Sequence, residues 1–184
     1  MKKIILFLLF SSISFAQNAN RKYISHSWKN TILEIKTSDG KYVIKPYSDK
    51  IIETSFIPNG ETFNPASHAV VMLPEKAKAS FKETENTLLL STKGIAVVID
   101  KSPFKISYLN NGKVIFSEKN GYTKKDSSEV LDFNIFDDEV LYGGGARALG
   151  MNRRGNRLQL YNRAQYGYET RAELMNFCIP LVLS

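Results

Sequence analysis

Apolar positions in this chain recur at every second residue, in short runs separated by turn residues. Ile32, Leu33 and Ile35 lead into Thr37-Ser38-Asp39-Gly40-Lys41, and Tyr42, Val43 and Ile44 follow. Asp-Gly between two β-rich runs predicts a hairpin, on the ground that both central turn residues take positive φ. Ile51–Ile57 predicts a further strand closed by Pro58-Asn59-Gly60, and Asn64–Ser67 predicts a loop. Ala69–Leu73 reads as a short apolar strand stopped at Pro74. Ala79–Lys82, Thr87–Thr92 and Ile95–Asp100 repeat the pattern, and Phe104–Leu109 and Lys113–Ser117 flank a second hairpin signal at Asn110-Asn111-Gly112. Gly121–Ser128 predicts a long surface loop, and Val130–Phe136 alternates again. Strands at this spacing, with no helical periodicity before residue 140, predict an all-β sandwich or barrel.

The pattern breaks at two places. Met1-Lys2-Lys3, the apolar run Ile4–Phe10 and the small-x-small site Ser14-Phe15-Ala16 have the layout of a secretory signal peptide over residues 1–16, too short for a membrane span. The mature chain is then expected to begin at Gln17, in the periplasm or outside a bacterial cell. The second break is Leu141–Ser184. Every arginine except Arg21 lies in it, no lysine follows Lys125, and it carries Gly143-Gly144-Gly145 and four tyrosines. Glycine admits close backbone approach, and arginine and tyrosine offer flat hydrogen-bonding faces. The final run, Phe177–Ser184, predicts an apolar strand with no turn after it.

Composition removes several function classes. At 184 residues, with 43% hydrophobic and 23% charged positions, the chain is about one domain long. Its charge of +7 falls to +5 without Lys2 and Lys3, and the lysines are scattered. Export and dispersed charge argue against a nucleic-acid partner, despite the interleaved arginines and tyrosines. Cys178 stands alone among apolar neighbours, which predicts a buried thiol with no disulfide or CxxC metal site. His26 and His68 are too far apart for a metal signature, so no metal or other cofactor is implied. The triple glycine lacks the flanking residues of a phosphate loop. Asp137-Asp138-Glu139 reads as a turn.

The ordered set Leu-Tyr-Gly-Gly-Gly-Ala-Arg-Ala-Leu, Asn-Arg-Arg-Gly, Leu-Tyr-Asn-Arg, Tyr-Gly-Tyr and Ile-Pro-Leu within Leu141–Ser184 resembles the end of the N-terminal β-sandwich of glycoside hydrolase family 31. It is most similar to the α-glucosidase and oligosaccharide 4-α-glucosyltransferase branch. The resemblance implies a galactose-mutarotase-like sandwich over residues 23–184, truncated before a (β/α)8 barrel. A retaining glycosidase needs two carboxylates about 5–5.5 Å apart. In the family both belong to the barrel, so no catalytic residue is implied in this chain. The implied partners are an α-glucan or maltooligosaccharide and the barrel of the same polypeptide.

By the same resemblance, Tyr161 and Asn162 match an aromatic-Asn-x-Asp run that helps form the first sugar subsite, with Ala164 where many members carry aspartate. The implied substrate-binding residues are Asn162, Arg163, Tyr166 and Tyr168. Arg147, Arg153, Arg154 and Arg157 are expected to form ion pairs with the barrel. The reading from another class is a stand-alone carbohydrate-binding module without activity.

Overall fold

The computed structural model describes residues 21–184 apart from 65, 68, 69, 75–77, 126, 165, 173 and 174, and without the side chain of Lys125. The expected signal peptide and His68 therefore lie outside the described residues. Those residues contain strands and turns and no helix. They divide into two compact units, one ending at Asn134 and one spanning Ile135–Ser184.

The first unit holds two antiparallel sheets. One contains β1 (Tyr23–Lys29), β2 (Ile32–Thr37), β3 (Gly40–Ser48) and β4 (Ile51–Pro58), in that order. The other contains β5 (Ser80–Glu83), β6 (Thr87–Ser91), β7 (Ala96–Lys101), β8 (Phe104–Asn110), β9 (Lys113–Lys125) and β10 (Ser128–Asn134), each paired with its sequence neighbour. The alternation decides which side faces in. Leu33 and Ile35 on β2 and Tyr42 and Ile44 on β3 meet Leu88, Leu90, Val97, Ile99 and Ile106 from the second sheet in one buried cluster. Each such apolar side chain contributes about 1.5–3 kcal/mol on leaving water, which makes the two-sheet sandwich the favourable arrangement.

Three local expectations change. The hairpin at Asp39-Gly40 forms, but neither residue takes positive φ. Glycine is required there by crowding, since a Cβ on Gly40 would stand 2.4 Å from the Ile57 oxygen and 2.5 Å from the Phe56 ring. In the expected strand Ala69–Leu73, residues 70–73 have no ladder partner, and Val71 is 89% exposed. An apolar run becomes a strand only where a neighbouring strand pairs with it, and Pro74, which has no N–H to donate, ends this one. In the expected loop Gly121–Ser128, β9 continues to Lys125. A bulge opposite Asp132 and Phe133 absorbs two extra residues, and Gly121 supplies its positive φ of 62°.

The second unit is mostly irregular. Its only regular pairing among described residues joins β11 (Tyr142–Gly143) to β12 (Val182–Leu183). The expected strand Phe177–Ser184 is thus regular only at Val182–Leu183.

Candidate functional site

In the second unit, the triple glycine builds a lock on the chain's own last residues. Gly143, Gly144 and Gly145 all have positive φ, at 111°, 76° and 82°. A Cβ on Gly143 would lie 2.0 Å from the Leu181 oxygen, and one on Gly145 would lie 2.5 Å from the Cys178 Cα. The Gly144 N–H donates to Leu181 O at 3.0 Å and the Ala146 N–H to Phe177 O at 2.8 Å. Close approach is what the glycines supply, and the backbone approached is that of residues 177–182.

Between the two sides of this lock runs a segment with few ladder bonds, whose carbonyls need donors. Arginines provide them. The buried Arg147 donates to Gly144 O at 3.1 Å and Gln159 O at 2.7 Å. Arg153 donates to Gly143 O, Gly150 O and Leu149 O at 3.1, 2.7 and 3.2 Å. Arg154 donates to Glu139 O at 3.0 Å and also reaches Phe136 O. Within the chain these three arginines act as internal braces, because one guanidinium fork satisfies two or three carbonyls at once. Asp137 and Asp138 sit in a turn closed by Glu139, whose Oε2 accepts the Phe136 N–H at 2.7 Å.

The four residues expected to bind sugar separate. Asn162 Oδ1 accepts the Cys178 N–H at 2.7 Å, so its acceptor helps to hold the end of the lock. Cys178 is half-buried rather than buried. Arg163 is exposed, and Tyr166 is 93% exposed. Tyr168 lines an open concavity of about 620 Å³ with Glu169, Thr170 and Arg171 against Ala148–Gly150. Sequence reasoning missed Arg171. It adopts a φ of 68° and donates its N–H to Ala148 O at 2.7 Å, and no residue-type signal marks that conformation. The loop therefore presents aromatic faces and polar groups, the chemistry that packs on and orients sugar rings.

In the first unit the most buried polar cluster is Arg21, Asp39, Tyr42 and Glu118. Arg21 grips Asp39 with two nitrogens, Nε at 2.9 Å to Oδ1 and Nη2 at 2.7 Å to Oδ2. Its other contacts are the Tyr42 hydroxyl at 2.5 Å and Tyr122 O at 2.6 Å. Tyr42 donates to Glu118 Oε2 at 3.4 Å. Burial pushes the Glu118 carboxyl up to about 7, against the pull of Arg21 and the Tyr42 hydrogen bond. Burial also works to raise Asp39, but its hydrogen bond and charge contact with Arg21 carry it below the usual carboxylate range. Glu118 and its partners are packed beneath Gly121, where a Cβ would stand 2.8 Å from Glu118 Oε2. Arg21, Tyr42 and Glu118 are the buried members of this brace, whereas Asp39 opens on a concavity of about 410 Å³ that it lines with Phe56, Glu61 and Lys124. His26 is occupied by the Tyr23 hydroxyl at 2.6 Å and by the Phe81 ring. Among the described residues, no three His, Cys, Asp or Glu side chains come together as metal ligands.

The model of the glycosyl hydrolase 31 N-terminal galactose mutarotase-like domain matches residues 41–184. The α-glucosidase 2 of Bacillus thermoamyloliquefaciens is 32% identical over 146 residues, which cover 77% of this chain and 19% of that protein. The family-31 dextranase of Flavobacterium johnsoniae, solved with glucose, superposes with a TM-score of 0.82 at 20% identity, over 90% of this chain and 21% of that one. The cycloalternan-forming enzyme of Listeria monocytogenes, solved with a pentasaccharide substrate, gives a TM-score of 0.69 at 17% identity, over 89% and 16%. The chain spans about a fifth of the length of these relatives.

Proposed function

Since this chain belongs to glycoside hydrolase family 31, with the galactose mutarotase-like fold of its N-terminal domain, we propose that it serves an exported retaining enzyme acting on α-glucans or maltooligosaccharides, either an α-glucosidase or a 4-α-glucosyltransferase. Its role is to brace a (β/α)8 barrel of the same polypeptide and to supply part of the substrate rim. The observation that carries the rim is the exposure of Tyr161, Arg163, Tyr166 and Tyr168 on a segment tied near its start, where Arg147 donates to Gln159 O and the Asn162 side chain accepts the Cys178 N–H. Aromatic and polar groups on a braced loop are what sugar subsites use. The dextranase and the cycloalternan-forming enzyme, both solved with sugars bound, support a carbohydrate partner.

The test is a chimera in which this chain replaces the segment it matches in the Bacillus α-glucosidase. It is expected to hydrolyse maltose with retention at the anomeric carbon. Tyr168→Ala and Arg163→Ala should each raise KM about tenfold with kcat nearly unchanged, which is the loss of about 1.4 kcal/mol of uniform binding. An active chimera whose KM ignores both substitutions rules out the rim role. An inactive chimera, together with retention of the chain itself on a maltodextrin gel, favours a stand-alone binding module. Export is read separately, by N-terminal sequencing of the secreted chain for a start at Gln17.

A further inference from the structure

The concavity beside Asp39 belongs wholly to the first unit, and its polar groups are fixed from beneath. The Asp39 side chain is 42% exposed, whereas the Arg21 side chain that grips it is 2% exposed. Thr37 Oγ1 also donates to Asp39 Oδ1, at 3.0 Å, which gives the carboxylate a second support. The Asn59 side chain donates to Ser38 O and its backbone N–H to Asp39 O, both at 3.0 Å, so the end of β4 is tied to the same turn. Gly60 then takes a φ of 84° in a turn closed by the Glu61 N–H to Pro58 O at 3.1 Å. Beyond that turn Glu61 Oε1 meets the Lys124 ammonium of β9 at 2.8 Å. Pro58, Phe56 and Tyr122 line the same space, the two rings 4.8 Å apart and the Arg21 guanidinium 4.5 Å from the Phe56 centroid.

These groups select a class of ligand. Asp39 and Glu61 are offset by Arg21 and Lys124, and Glu129, 3.9 Å from the same ammonium, is not part of the lining. An anion would meet two carboxylates there. A cation would have to displace Arg21 or Lys124 from carboxylates already paired. A purely apolar ligand would leave the charged groups dry and without new partners. A neutral polyhydroxy ring meets all of them. A carboxylate offers about four acceptor sites and an ammonium three donors, so the Glu61–Lys124 pair keeps capacity for hydroxyls. Aromatic and proline surfaces suit the C–H faces of such a ring. The volume of about 410 Å³ falls within the range of small-ligand clefts, roughly 300–1,000 Å³.

We propose that this concavity is a second carbohydrate site, taking one neutral pyranose ring whose hydroxyls bond to Asp39, Glu61 and Lys124 and whose C–H face packs on Phe56 or Pro58. The site stands on its own lining, and none of its residues belongs to the loop at Tyr161–Tyr168. Only the choice of a glucose-based first probe rests on the proposed α-glucan substrate.

The test is titration of the isotope-labelled chain with maltose, followed through its amide chemical shifts. Saturable shifts are expected at Asn59–Glu61, Thr123 and Lys124, with a Kd of about 1 mM, as suits one small ring in an open site. Glu61→Ala and Lys124→Ala, both at exposed positions, should each weaken binding at least about fivefold through the loss of a hydrogen bond, and Tyr168→Ala should leave it unchanged. The shifts are read on the unsubstituted chain first, so the test stands even where a variant fails to fold. In the Bacillus chimera the Glu61 and Lys124 substitutions should leave KM for maltose unchanged; a rise would make the concavity part of the substrate site and overturn its separate standing. Shifts with galactose or xylose but not with maltose support the site and remove the α-glucan reading. The absence of saturable shifts at these amides with all three sugars overturns the proposal, as do shifts confined to residues 161–168. So does tighter binding of a phosphorylated glucose than of glucose itself, or an equal response to glycerol, since the lining then selects no neutral ring.

Discussion

Replacing Glu118 by glutamine should stabilise the chain above neutral pH and flatten its dependence on pH. Glu118 is 7% exposed, and desolvation raises its carboxyl from 4.5 to about 7. The folded state then holds a proton, between those pH values, that the unfolded state has released. Stability is therefore fully present below about pH 4.5 and falls as pH rises toward 7. The interval corresponds to about 3 kcal/mol, at 1.36 kcal/mol per pH unit. Asp39 has the opposite sign, because its pKa is depressed. Its contribution is present above the ordinary carboxylate pKa and is lost as pH falls below that, outside the Glu118 window. Urea denaturation followed by far-UV circular dichroism at pH 5, 6, 7 and 8 reads the effect as a shift in midpoint at constant slope. The native chain should lose about 2–3 kcal/mol from pH 5 to pH 8. Glu118→Gln keeps the acceptor for Tyr42 and should lose little, so the variant gains most at pH 8. Equal and parallel stability curves for the two proteins would show that Glu118 is neutralised in some other way, and the burial argument would be wrong.

The glycine lock predicts that Gly145→Ala frees the end of the chain. A Cβ there meets Cys178 and Phe177 backbone at under 3 Å, so Cys178 should react with a thiol reagent at least about tenfold faster, while Gly155→Ala, where the space is open, changes only the local backbone cost of about 1 kcal/mol. Arg147→Lys should destabilise the second unit by about 1–3 kcal/mol, because one ammonium cannot reach both Gly144 O and Gln159 O, and faster amide exchange across residues 143–160 reads it. Ile44→Ala should cost about 2–5 kcal/mol in the urea midpoint, since its side chain is fully buried between the sheets.

Much of the sandwich was legible because period-two alternation is the physical cause of its core. Leu33, Ile35, Tyr42 and Ile44 point inward for the reason their spacing suggests. β1 was harder to see, since Ser25, His26 and Ser27 dilute its pattern and its turn at Asn30-Thr31 takes positive φ without glycine. The run at 70–73 failed for the opposite reason, because hydrophobicity alone does not provide a strand partner. At Asp39-Gly40 the outcome was right and the cause was different, because crowding from β4 cannot be read from a dipeptide. In the second unit, Arg147, Arg153 and Arg154 looked like charges awaiting carboxylates. Their partners within the chain are backbone carbonyls, which every residue carries and no letter of the sequence marks. The grouping of Tyr168 with Arg171 depended in the same way on a backbone turn at Arg171.

The lock between Gly143–Ala146 and Phe177–Leu181 also bears on how such a chain can change. Residues 146 and 177 are far apart in sequence, yet one hydrogen bond of 2.8 Å joins them. The stretch between them is an excursion with both feet fastened at one point, and lengthening a closed loop adds only about 0.6 kcal/mol for each doubling. Insertions or exchanges in the part beyond the arginine clamps would leave the anchorage intact. The anchorage itself tolerates almost nothing, because its contacts are backbone against backbone. Diversity between related chains should therefore accumulate in the excursion, which behaves as an exchangeable cassette, while the three glycines stay fixed.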